Sequence, residues 1–148
     1  MNKEFLNVIV ADSDENTLTF FKNIFKEQKI SIKIQSFNNG KNMMKYLNHE
    51  DAVVPEIVFI QYAIPEIDSI ECIAEFKSHS KFNNMVTVIF SDQISEHEIE
   101  DIFVAGTNIY MRKPEDFKSL KKVLSDIISI NWQYHTSGLN KDHFILKI

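Results

Sequence analysis

The sequence predicts an α/β fold, with one parallel sheet covered by helices on both faces. Five short apolar runs recur along the 148 residues: "NVIVA" (7–11), "IKIQSF" (32–37), "EIVFI" (56–60), "VTVIF" (86–90) and "NIYM" (108–111). Segments with helical spacing separate these runs and follow the last. The first, third and fourth runs are almost unbroken Val, Ile and Phe, the composition of strands buried on both faces. Repeated strand–helix alternation requires crossover connections, and these are right-handed.

The elements follow in order. Leu18, Phe21, Ile24 and Phe25 mark a first helix from about Glu15 to Gln28. Met43, Met44 and Leu47 mark a short second helix after Gly40. Ile70, Ile73, Ala74 and Phe76 mark a third. Ile99, Ile102 and Phe103 mark a fourth, ended by Gly106. Phe117, Leu120, Val123, Leu124, Ile127 and Ile128 mark a long fifth. Asp14 or Ser13, Ser95 and Asp116 are the N-caps expected for three of them. This alternating unit is a single domain over residues 5–130. The tail, 131–148, reads "NWQYHTSGLNKDHFILKI"; it is too short for a second domain, and Trp132, Tyr134 and Phe144 make it too apolar for an inert end. It is expected to pack on its own domain, the alternative being that "HFILKI" adds a strand to a partner.

Composition excludes several classes. A net charge of −5 with scattered lysines argues against a nucleic-acid partner, whose phosphates need a basic stripe. Cys72 is the only cysteine, so no intrachain disulfide forms and a reducing compartment is expected. The N-terminal apolar run is too short for a signal-peptide core, and no run reaches the roughly 18 residues of a membrane helix. A cytoplasmic protein without membrane contact is the expectation. Gly40, Gly106 and Gly138 are the only glycines. A P-loop or a dinucleotide fingerprint needs two or three within a few residues, so both are excluded. None of the five histidines is placed with Cys72 or another histidine at metal-ligand spacing.

Ligands of an open parallel sheet bind beyond the carboxyl ends of its strands. Those ends present Asp12, Ser13 and Asp14 after the first strand and Gln61, Tyr62 and Ala63 after the third. The fourth presents Ser91 and Asp92, and the fifth Tyr110, Arg112, Lys113 and Pro114. On these residues the sequence resembles the CheY-like receiver domain of two-component response regulators. "VIVADSDEN" is similar to that family's acidic cluster, "IVFIQYAIPEIDSIECI" to its third strand and following loop, "VIFSD" to its fourth strand, and "AGTNIYMRKP" to its fifth. The resemblance covers about residues 5–130. It implies a flavodoxin-like, doubly wound (βα)5 three-layer sandwich with strand order 2-1-3-4-5, and a signalling module rather than an enzyme.

The resemblance also assigns roles, and two residues depart from them. Receivers accept a phosphoryl group on an aspartate, and that position is Gln61 here. They hold Mg2+ with that aspartate and an acidic pair that falls at Asp12 and Ser13. One acid of three remains, so Mg2+ binding is expected to be weak or absent, with Asp12 the sole candidate ligand and no other cofactor. Ser91 and Tyr110 correspond to the family's switch pair. Lys113 corresponds to its pocket lysine, and Pro114 to a cis-proline. An amide forms no acyl phosphate, so the expected function is a stand-alone receiver-like protein acting by phosphorylation-independent protein contacts in a phosphorelay. The expected partner is a histidine kinase, a phosphotransfer protein or a second copy, docking on the fourth helix, fifth strand and fifth helix (about Glu96–Ile130). The alternatives are phosphorylation at a non-standard acid such as Asp12, and a small-molecule binder of the flavodoxin type.

Overall fold

The nearly continuous apolar runs form the middle of the sheet, where neighbouring strands and two layers of helices exclude water from every side. The structure is a computed structural model that describes residues 5–137 and 146–148. The strands are β1 (Phe5–Ala11), β2 (Ser31–Phe37), β3 (Ile57–Gln61), β4 (Val86–Ser91), β5 (Ile109–Arg112) and β6 (Leu146–Lys147). The helices are α1 (Glu15–Lys26), α2 (Gly40–Leu47), α3 (Ser69–Lys77), α4 (Glu96–Ala105) and α5 (Phe117–Ser137). All strands are parallel, in the order β2-β1-β3-β4-β5-β6. The expected order 2-1-3-4-5 is present, extended at one edge. β2 alternates between exposed and half-buried residues, as an edge strand does, whereas every residue of β4 is buried.

Strand periodicity divides the core in two. Val8, Val10, Ile57, Phe59, Val86, Val88, Phe90, Ile109 and Met111 face α1 and α5. Ile9, Ala11, Val58, Ile60, Ile89 and Tyr110 face α2, α3 and α4. The first layer is held by aromatic packing: Phe21 of α1 lies 5.1 Å from Phe90, 5.6 Å from Phe59 and 5.9 Å from Phe25, centroid to centroid. Offset and edge-to-face contacts at such distances are favourable beyond the area they bury.

The helix ends follow sequence chemistry. Asp14 caps α1 through Asn16 N–H, and Asp116 accepts from Ser119 N–H at the start of α5. Ser95 and Glu98 form a reciprocal capping box on α4. Gly106 ends α4 at φ 112°, a conformation that favours glycine.

One feature differs from the sequence reading, and another agrees with the expectation that the tail packs on its own domain. Helix α5 does not stop near residue 130 but runs to Ser137, so the boundary expected there falls inside a helix. The next buried-face position after Ile128 is Asn131, a polar residue that breaks the apolar pattern. Its side-chain amide donates to Ile127 C=O at 2.9 Å, while its Oδ1, buried with the rest of the residue, has no hydrogen-bond partner. Beyond it, Trp132 and Tyr134 pack on the α1–α5 layer. The chain then returns at β6 to pair with β5, so part of "HFILKI" adds a strand to its own sheet. Phe144, expected to pack as well, lies outside the described residues.

Candidate functional site

Sheet order reverses between β1 and β3, since β2 lies on one side of β1 and all later strands on the other. The crevice beyond such a switch point is where this architecture binds ligands. Asp12 and Gln61 emerge there. Asp12 N–H donates to Phe37 C=O at 3.0 Å, which holds the residue at the mouth of β1. Its Oδ1 accepts Asp14 N–H at 3.0 Å, while Oδ2 is buried with no hydrogen-bond partner. Only 3% of Asp12 is exposed. Burial pushes its carboxyl pKa up, and the Asp14 charge adds to this; the Asp14 amide, the Gln61 side chain and the Lys113 ammonium act against it.

The structure thus gathers three of the residues singled out in the sequence: Asp12, half-buried Gln61 and half-buried Lys113. Ser13 is exposed at the start of the loop. Lys113 is set in place by its N–H, which donates to Ser91 C=O at 2.8 Å. The Lys113–Pro114 bond is trans, not the cis bond that the resemblance implied. Trans is the lower-energy form of an X–Pro bond by about 0.5–1 kcal/mol, and the loop accommodates it. Arg112, Lys113, Pro114 and Glu115 line one side of a cleft of about 600 Å³, with Asp92 and Gln93 on the other. Neither Asp12 nor Gln61 lines that cleft.

Ser91 and Tyr110 are joined. Tyr110 is 3% exposed, and its hydroxyl lies 2.7 Å from Ser91 Oγ. Ser91 O–H donates to Asp92 C=O at 2.6 Å. The Tyr110 hydroxyl also lies 3.5 Å from Asp92 C=O, so the two hydroxyls and the carbonyl form one hydrogen-bonded cluster. The serine hydroxyl is thereby engaged by Asp92 and Tyr110. Sequence reasoning named both residues but not the Asp92 carbonyl that closes this triangle, because a backbone acceptor leaves no trace in residue type.

The loop after Gln61 is tied at several points. Tyr62 N–H donates to Phe90 C=O at 2.8 Å, and Ser69 Oγ donates to Tyr62 C=O at 2.9 Å. The Tyr62 hydroxyl meets the Glu98 carboxylate on α4. Burial first, and then the Glu98 charge and hydrogen bond, raise the Tyr62 pKa. Pro65 C=O accepts both Gly40 N–H at 3.1 Å and Ile67 N–H at 3.0 Å. Glu66 between them has φ 75°, the mark of a tight γ-turn. A side chain on Gly40 would run into the Ile67 carbonyl oxygen, so glycine lets α2 approach this loop closely.

The donor set does not fit the Mg2+ that the resemblance implies. Mg2+ prefers near-octahedral oxygen ligands, with carboxylates prominent. The pocket offers one carboxylate, whose free oxygen is buried, beside an amide. Among the described residues, no group of three or more His, Cys, Asp or Glu could hold a metal. Cys72 is a buried thiol whose pKa is pushed up to about 12 by burial and by Asp68, Glu71 and Glu75. It stays protonated and inert at neutral pH.

The sequence matches the response regulator receiver domain family over residues 8–125. The chain belongs to the response regulator receiver family. Its fold is similar to that of the phosphorylated cyanobacterial phytochrome response regulator RcpA, with a TM-score of 0.79 and 17% identity over 92% of this chain and 97% of that one. The Mn2+-bound form of response regulator Rcp1 scores 0.76 at 18% identity, covering 84% and 92%. The receiver domain of the Francisella response regulator 1452 scores 0.69 at 22% identity, covering 88% and 99%. No curated protein sequence matches the chain. No helix among the described residues is long and apolar enough to cross a membrane.

The buried carboxylate of this receiver has a measurable consequence. The folded state binds the Asp12 proton more tightly than the unfolded state does. That contribution to stability is present at acid pH and is lost as pH rises from the ordinary carboxylate value through the raised one. Asp12→Asn keeps the Oδ1 acceptor for Asp14 N–H and removes the charge. It is expected to stabilise the protein by about 1 kcal/mol at neutral pH and by nothing below the carboxylate range. Thermal melts at the two pH values check this, and destabilisation at neutral pH would show that the charge has a partner.

Proposed function

We propose that this receiver is a pseudo-receiver: a signalling module that works through protein contacts without being phosphorylated. Receivers are typically signalling modules rather than enzymes, and they interact with histidine kinases and phosphotransfer proteins. The observation that carries the proposal is Gln61 at the tip of β3, beside a single buried carboxylate. Phosphoryl transfer depends on a positioned nucleophile and on charge stabilisation. The amide is a poor nucleophile, the acid pair is reduced to Asp12, and the Ser91 hydroxyl donates to a backbone carbonyl. Tyr110 is buried with its hydroxyl 2.7 Å from Ser91 Oγ, which gives the switch pair a hydrogen-bonded arrangement of its own. The partner face is the α4–β5–α5 side, with a kinase, a phosphotransfer protein or a second copy as the partner, and Mg2+ binding is weak or absent.

The test is incubation of the full chain with acetyl phosphate and Mg2+, followed by intact-mass measurement. The mass is expected to stay unchanged. A stoichiometric gain of one phosphoryl group overturns the proposal. Its loss in Asp12→Asn would then assign the group to Asp12, the alternative acceptor.

A further inference from the structure

Strand β6 is attached to the very elements expected to meet a partner. Ile148 N–H donates to Tyr110 C=O at 2.9 Å, and Arg112 N–H donates to Ile148 C=O at 3.3 Å. Lys147 Nζ lies 3.1 Å from the Glu96 carboxylate on α4. One short segment therefore touches β5 at the switch tyrosine and α4 at its first turn. Its hold is slight. The ion pair is exposed, with Lys147 51% and Glu96 84% accessible, and exposed pairs contribute little. Ile148 is itself 39% exposed. The strand is two residues long, whereas β1 and β2 pair over seven. Helix α4 also carries Glu98, Glu100 and Asp101, with His97 beside them, so a basic side chain suits this edge.

We propose that the C-terminal strand is an intramolecular latch on a strand-accepting edge. It occupies β5 as a ligand in cis. The partner this edge fits presents an extended apolar segment with a basic side chain opposite Glu96, and it docks by displacing β6. Backbone bonds to the edge supply affinity, and the charge opposite Glu96 supplies register. Tethering gives the resident segment a high effective concentration, so a competing segment binds weakly until the latch is broken. The inference rests on reading the α4–β5–α5 side as the partner face. Its test uses no phosphodonor and no kinase, so its failure is distinct from failure of the pseudo-receiver proposal.

The probe is a fluorescent peptide of residues 143–148, "HFILKI", added in trans to the full-length chain. The variant Lys147→Glu with Ile148→Pro reverses the charge and removes the N–H that bonds Tyr110. It is expected to bind the peptide about tenfold more tightly than the unaltered chain. Hydrogen exchange at Arg112 N–H is expected to speed up in the variant and to slow again on peptide addition. Lys147→Glu alone, which leaves both backbone bonds possible, is expected to fall between. Far-UV circular dichroism confirms that each variant is folded. Equal peptide binding by variant and unaltered chain, binding by neither, or unchanged Arg112 exchange would each overturn the latch.

Discussion

Phe21→Ala is expected to cost about 4 kcal/mol of folding stability, within the range for deleting a buried aromatic ring. Phe21 is fully buried on α1, and its ring touches Phe25 of the same helix, Phe59 of β3 and Phe90 of β4. The substitution loses the transfer energy of the ring and leaves a cavity. The walls of that cavity are two central strands fixed by their ladders, so it collapses little. Domains of this kind have about 5–15 kcal/mol of stability, so the variant should unfold at much lower urea. Phe20, half-buried and edge-on to Phe117 at 5.4 Å, is the matched control, and its alanine variant should lose less. Urea titrations of both variants measure the difference. A Phe21→Ala cost below 1 kcal/mol would mean that the aromatic layer is not packed as described.

Gln61→Asp has the second large effect, and it bears on function. It sets a second carboxylate beside Asp12, which already has one buried oxygen without a partner. Two charges 4 Å apart repel by about 4 kcal/mol at an effective dielectric near 20, and half-burial of residue 61 screens this to about 2 kcal/mol. The variant should lose that much stability at neutral pH and regain it on acidification or on addition of Mg2+. Adding Ser13→Asp supplies all three carboxylates that the resemblance assigns to these positions. The double variant is expected to gain one phosphoryl group in the mass assay that leaves the unaltered chain unchanged. If Gln61→Asp is as stable as the unaltered chain at neutral pH, with or without Mg2+, the new carboxylate does not face Asp12.

Much of this was legible in residue order because the deciding signals are local. The Val/Ile/Phe runs identify strands that water cannot reach, and Ser95 announces a helix start. Gln61 is visible as a departure because the resemblance places an aspartate at the end of that strand. The trans Lys113–Pro114 bond was not legible, because the isomer depends on the loop around it rather than on the dipeptide. The Tyr62–Glu98 contact joins residues 36 positions apart through packing of the β3–α3 loop on α4. Neither partner is unusual for its own segment.

The order of the amino acids by itself determined the five-strand alternating architecture, the helix caps and the amide at the tip of β3, each of which depends on spacing within a few residues. Only the tertiary structure decided that α5 continues past Asn131, that Ser91 turns its proton to Asp92, and that the C-terminus closes the β5 edge. These outcomes depend on which groups meet across the fold: a buried amide that donates within its own helix, a hydroxyl nearest a carbonyl, a sheet edge with free backbone groups. Spacing along a chain carries no record of such meetings, because they are set by distances that exist only after the sheet has formed.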